Sequence, residues 1–243
     1  MKLEICASNY QSAINAEKAG ADRIELCSEL AIGGVTPSFG LIKQVLEAVK
    51  IPVFVLVRPR SGNFTYSDEE FDIMKKDIEL CRDLGCAGIV SGILNADDSV
   101  DVERTKKLVE LSKPLYFTFH RAFDWTPNPY EALEHLIKLN VDRILTSGQE
   151  SSAKKGIFVL QQLKKLANGR LKILPGGGIN PNNVLVFKGA GFEEVHCSAT
   201  LVSTVHPKPK VPMNSAAFFD ETVQYDSDVD LIQSILNRIN DKA

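Results

Sequence analysis

The stretch Thr118–Thr126, TFHRAFDWT, begins with aromatic and β-branched residues suited to a buried strand. It then stops on His120 and Arg121, with Asp124 three residues further on. Ionisable side chains at the end of such a run form either a binding or catalytic rim or a cluster at a loop entrance. A second group is Cys6 and Cys27, each two residues after a glutamate, Glu4 and Glu25. Strand side chains return to the same face every two residues, so each thiol shares a face with its glutamate. Neighbouring strands lie about 4.8 Å apart. A linear two-thiolate site needs sulfurs ~4.6 Å apart if the zinc–sulfur length is borrowed. The spacing therefore permits a soft ion such as Cu(I). The competing reading is two buried cysteines acting as small hydrophobes.

Further polar residues stand where other apolar runs end. Arg58 and Arg60 flank Pro59 on one parity, and either pair with Glu4 and Glu25 or clamp an anionic ligand. Gly176, Gly177 and Gly178 lie in PGGGIN, ahead of a helical pattern. Such a loop exposes backbone N–H groups beside a helix start, which suits an anion, or is simply a tight turn. Thr146 and Ser147, then His196 and Ser198, close two more runs. His120 and His196, with Glu25 or Asp124, suit acid–base work or a hard metal; singly, each also reads as a hydrogen-bonded core histidine. His135 and His206 read as a helix face and a loop. No lysine ends a strand, which speaks against a Schiff-base aldolase. Phe123 and Trp125 are expected to cover the mouth.

The elements that must position these residues are eight short apolar segments: 3–7, 23–27, 52–58, 88–92, 115–120, 143–147, 171–175 and 194–198. Helical patterns alternate with them. The clearest begins at Ser67 with Glu70 three residues later, a capping box, and ends at Gly85. Pro37 and Pro181 stand near two other helix starts. Continuous apolar strands alternating with helices mean parallel strands with crossovers. AGADRIEL, LGCAGIV, LNVDRIL and AGFEEVH form a four-fold echo. With eight units filling the chain, the expectation is a TIM-type (β/α)8 barrel, a single domain over 1–243, rather than an open doubly wound sheet. In such barrels the chemistry sits at the carboxyl ends of the strands. Residues 199–228 read as an irregular loop before a last helix.

The chain has 243 residues, 44% of them hydrophobic, with 28 basic and 31 acidic residues giving a net charge of −3. No basic stripe points to nucleic acid and no apolar run approaches a membrane span. The N-terminus has no signal-peptide core. Five cysteines without a Cys-x-x-Cys pair fit reduced thiols in a cytoplasmic protein. Cys81 and Cys86 read as helix and packing residues. Self-association into a homo-oligomer is expected.

Taken in order, ADRIELC (21–27), GGVTPS (33–38), IPVFVLVRPRSGNFTYSDEE (51–70), TFHRAFD (118–124), RILTSG (143–148) and PGGGI (175–179) resemble the CutC family of copper homeostasis proteins over about residues 1–200. The resemblance implies a TIM-type barrel, a cytoplasmic location and a role in copper tolerance with Cu(I) binding. It also implies Cys6 in EICAS and Cys27 in IELCS as the copper cysteines. Glu25, Arg58, Arg60, His120, Arg121 and Asp124 match family positions. The sequence departs from the family pattern at 211–219, which has no Arg, and at 94–101, which lacks a Gly.

Two functions follow as expectations. One is copper homeostasis, with Cu(I) as cofactor on Cys6 and Cys27. The other is an enzyme, or a non-catalytic sensor, for a small anionic or phosphorylated metabolite. Its ligand would be held by Arg58, Arg60, Arg121, Ser147, Gly176, Gly177, Gly178, His196 and Ser198. Its proton transfer would fall to Glu25, His120 and Asp124.

Overall fold

A computed structural model of the chain describes residues 1–213 and 220–241. Residues 214–219, within the stretch that departs from the family pattern, lie outside the described residues. The strands are β1 (Lys2–Ala7), β2 (Arg23–Leu26), β3 (Val53–Leu56), β4 (Gly88–Ser91), β5 (Tyr116–Phe119), β6 (Arg143–Thr146), β7 (Lys172–Pro175) and β8 (Glu194–Cys197). All run parallel, in the order β7-β6-β5-β4-β3-β2-β1-β8. The circle closes between β7 and β8 at a parallel bridge from Gly176 to His196. This is the expected (β/α)8 barrel.

The helices begin where short polar side chains can take up free backbone N–H groups. They are α1 (Tyr10–Ala19), α2 (Phe39–Ala48), α3 (Asp68–Asp83), α4 (Val102–Ser112), α5 (Pro129–Lys138), α6 (Ile157–Ala167), α7 (Val184–Gly189) and α8 (Val229–Asn240). Asn9, Ser38, Asp101, Asn128 and Asp228 cap α1, α2, α4, α5 and α8. The Ser67–Glu70 capping box starts α3, and Gly85 follows it with a left-handed φ of 79°.

The 199–228 segment is not an irregular loop throughout. Thr200–Val205 (β9) and Val223–Ser227 (β10) pair as an antiparallel hairpin. The β-branched run in TLVSTV carries that signal, and the prolines between the strands masked it.

Strand parity divides the core in two. One set, including Leu3, Ile5, Ile24, Leu26 and Val55, packs outward under the helices. The other set, Cys6, Cys27, Phe54, Leu56 and Val90, fills the barrel interior. Below it, Arg23 pairs with Glu4 and, at 2.6 Å, with Glu194, which also meets Arg143 Nε at 3.2 Å. Both guanidinium groups lie over the Phe54 ring, at 4.9 and 4.8 Å. These buried charges pair with one another, leaving Arg143 Nη1 buried without a partner among the described residues, and close the amino-terminal end of the barrel.

Candidate functional site

Parallel register sets Glu4 opposite Arg23 and Cys6 opposite Glu25, so Cys27 stands one layer above Cys6. The stagger leaves the two sulfurs 3.7 Å apart. The Cys6 thiol also reaches Glu25 Oε1 at 3.9 Å. Gly34 leaves the room this needs: with its φ of 83°, a Cβ there would stand 2.7 Å from Leu56 Cδ2 and 3.4 Å from Cys27 Sγ.

His196 enters from β8 on the other side of β1. Its Nδ1 donates to Glu4 Oε1 at 2.7 Å and lies 3.8 Å from Glu25 Oε2. Burial works against charge on the imidazole, but Glu25 and Glu4 outweigh it and raise its pKa. Burial likewise opposes the Glu4 carboxylate, yet Arg23 and His196 hold it down to about 2. Glu25 lacks such a clamp. Burial, with Glu4 nearby, pushes it up to about 7 despite His196. The hydrogen bond with Cys27 and burial push the Cys6 thiol well above its ordinary value. Cys6 Sγ, a Glu25 oxygen and a His196 ring nitrogen lie within 4.8 Å of one another.

These donors fit a soft ion, though not the linear geometry expected from strand spacing. At the observed sulfur separation, an ion ~2.3 Å from both thiolates would subtend about 107° between them. That angle suits a three- or four-coordinate centre, and Glu25 and His196 are the donors at hand to complete it.

Above the thiols a cavity of about 310 Å³ opens at the carboxyl end of the barrel. Cys6, Glu25, Arg58, His120, Arg121, Gly177, Gly178, His196 and Ser198 all line it, as the sequence reading groups them. Cys27 is fully buried and does not reach its lining. A larger hollow of about 600 Å³ on the outer side, between α6 and the starts of β7 and β8, contains none of these residues.

Besides Cys27, four expected residues stand outside the lining. Arg60 turns away to Glu70, Nε to Oε1 at 2.5 Å, and to the Thr65 carbonyl. Asp124 does not face the cavity. It accepts from Thr146 Oγ1 at 2.5 Å, from the Ser147 and Gln149 amides, and from Arg121 at 2.8 Å. That carboxylate ties the turn after β5 to the loop after β6. Ser147 belongs to the same knot, and Gly176 serves the β7–β8 bridge. Phe123 is fully buried and half-exposed Trp125 meets Phe64 edge-on. Phe64, unmarked in the sequence, lines the cavity instead, along with Leu30, Gly33 and Ile179.

Arg58 has no carboxylate partner among the described residues. Its Nη1 donates to the carbonyls of Ile32 and Gly34 at 2.9 and 2.8 Å, and Nη2 to that of Gly62 at 2.8 Å. The neighbouring His120 accepts the Ala122 amide on Nδ1 at 3.2 Å. Burial and the Arg58 charge push its pKa down to about 3, so the ring is neutral.

This barrel has counterparts among known proteins. The CutC family profile matches residues 1–201. The human copper homeostasis protein cutC homolog is 48% identical over 198 residues, 81% of this chain and 72% of that one. The family protein CutC of Proteus mirabilis is 44% identical over 234 residues, 95% and 93% of the two chains. A crystal structure of Streptococcus agalactiae CutC superposes with a TM-score of 0.77 at 34% identity, covering 82% of this chain and 98% of that one. The chain belongs to the CutC family.

Proposed function

We propose that the chain is a copper-handling protein of the cytoplasm, taking Cu(I) on Cys6 and Cys27. The observation that carries this reading is the 3.7 Å approach of two buried sulfurs under an open cavity. Thiolates favour Cu(I) over harder ions. Glu25 and His196 supply a third donor from the same layer. Glu4, fixed by Arg23, holds His196 in place as an outer partner orients a metal-ligating ring. The names of the relatives, copper homeostasis proteins among them, support the same role.

Five unpaired thiols fit a reducing compartment. No described helix is long and apolar enough to cross a membrane. The exposed Leu201, Val202, Val205 and Tyr225 of the β9–β10 hairpin support a homo-oligomer, which light scattering on the purified chain would measure.

The test is competition for Cu(I) against a chelator under reducing conditions. Wild type should bind one ion per chain. Cys6→Ser and Cys27→Ser should each weaken binding at least about a hundredfold, because a site built on two thiolates keeps too few soft donors with one. Cys81→Ser should behave as wild type. Equal affinity in all four proteins would remove the thiol-pair site.

A further inference from the structure

Two buried hydrogen-bond donors on the cavity wall play no part in the copper reading. His120 and Arg58 are each about 5% exposed, and His120 Nε2 and Arg58 Nε have no acceptor among the described residues. Native proteins seldom leave such groups unpaired, so each calls for an explanation. The beginning of the loop after β5 gives part of one. Because Nδ1 of His120 accepts the Ala122 amide, the proton of the neutral ring sits on Nε2. The ring is thereby fixed as a donor. Gly92 makes room for it, since a Cβ there would stand 2.6 Å from Nδ1.

Arg58 presents a related problem. Its three Nη bonds go to neutral carbonyls, which fasten the loops at Ile32–Gly34 and Gly62 and leave its charge without a counter-ion among the described residues. A buried guanidinium ordinarily meets a carboxylate or phosphate. His120 and Arg58 thus place two donors on the β3–β5 side of the mouth. A metal ion is the wrong occupant there, since a guanidinium repels it and a protonated Nε2 cannot ligate it.

We propose that the barrel mouth binds a small metabolite bearing a carboxylate or phosphate, whose oxyanion is held by Arg58 and His120 beside the thiol pair. The cavity, about 310 Å³, falls at the small end of ligand pockets, which run from about 300 Å³ upward. Leu30, Leu56 and Ile179 offer the rest of the ligand an apolar wall. The Phe64 ring rests 4.9 Å from the imidazole, and binding requires it to shift so that a ligand oxygen reaches Nε2. This site uses neither sulfur, so it stands or falls independently of copper binding.

The experiment uses the metal-free full chain with ¹⁵N-labelled histidine. Long-range proton–nitrogen spectra report the His120 tautomer, assigned by its loss in His120→Phe. Pyruvate and inorganic phosphate are titrated separately, so that the carboxylate and phosphate arms are distinguished. The expected result is an Nε2–H ring whose resonance moves saturably with at least one probe. Calorimetry should show that probe binding at least about tenfold more weakly to His120→Phe and to Arg58→Lys. Arg58 also fastens two loops, so Arg58→Lys is read only if circular dichroism shows it folded. His120→Phe removes the unpaired donor and the acceptor of the Ala122 amide without touching the loops that Arg58 fastens, and with its fold checked in the same way it keeps the test decisive. An Nδ1–H tautomer, no shift with either probe, or unchanged affinity in His120→Phe would overturn the proposal.

Discussion

His196 Nδ1 donates to Glu4 Oε1 at 2.7 Å, and Arg23 grips the same carboxylate from below. The candidate site thus rests directly on the ion-pair plug at the other end of the barrel. Glu4→Gln would leave Arg23 and His196 buried beside a neutral amide. Removing one member of a buried charged network costs about 3–5 kcal/mol. Urea denaturation at neutral pH should show a loss of that order. A change below about 1 kcal/mol would mean that the network does not hold the floor together.

The same groups set a pH profile. Glu4 is depressed to about 2, so its contribution is present above its ordinary 4.5 and is lost as pH falls toward 2. Glu25 is raised to about 7. Between 4.5 and 7 the folded chain keeps a proton that the unfolded chain has released, so stability falls as pH rises through that window. His196 is raised above 6.5, and its contribution is lost as pH climbs through its raised value. Stability should therefore peak in mildly acidic solution and decline toward pH 8. Glu25→Gln should flatten that decline and be more stable than wild type at pH 8. Denaturation midpoints across pH would show it, and a parallel decline in Glu25→Gln would refute the assignment.

Copper binding should carry its own pH dependence. The Cys6 thiol lies well above its ordinary range and must lose its proton to bind a metal. Between about pH 6 and 8, Cu(I) affinity should fall at least about tenfold per unit of acidification. A flat affinity over that range would be incompatible with thiolate ligation at Cys6.

Arg60 offers a control that sequence parity alone would have misplaced. It pairs with Glu70, whose carboxylate also accepts the Ser67 amide in the capping box of α3. Arg60→Ala should leave Cu(I) and oxyanion binding unchanged and cost under about 1 kcal/mol, since the pair is partly exposed. Ser67→Ala should cost about 1 kcal/mol by removing the cap. Loss of pyruvate or phosphate binding in Arg60→Ala would return that side chain to the mouth.

These contrasts show what the chain discloses before it folds. Strand runs, caps and the order of units follow local periodicity, and they place Cys6, Glu25, His120 and His196 at the carboxyl end. The partners of long side chains do not follow from it. Arg58 and Arg60 have the same parity, yet one is fastened by the carbonyls of two loops and the other by a helix cap. Asp124 looks like an acid–base group by type and position, but three donors from the next loop engage it. Arg23 and Arg143 sit at strand starts with inward parity. That signal was available for the plug but points away from the chemistry. Phe64 reaches the mouth from a loop without periodicity, so nothing local marks it.

Gly92 provides the sharpest remaining test of how the mouth is built. It follows β4 directly, and the preceding Ser91 carbonyl accepts the His120 amide at 3.0 Å, which fixes the two backbones together. A Cβ at Gly92 would stand 2.6 Å from His120 Nδ1, 2.7 Å from Cε1 and 3.2 Å from Ala122 Cβ. The backbones cannot part without losing that bond, so the imidazole must rotate and give up the Ala122 amide. Gly92→Ala should then cost about 1–3 kcal/mol as an overpacked site. It should weaken oxyanion binding and leave Cu(I) affinity unchanged, because the thiols lie on β1 and directly after β2. Denaturation in a double-mutant cycle checks the cause. In a His120→Ala background the Gly92→Ala penalty should largely vanish, since the clashing ring is gone. A penalty of equal size in both backgrounds would show that Gly92 serves the backbone rather than the imidazole. The fixed tautomer on which the mouth depends would then need another support.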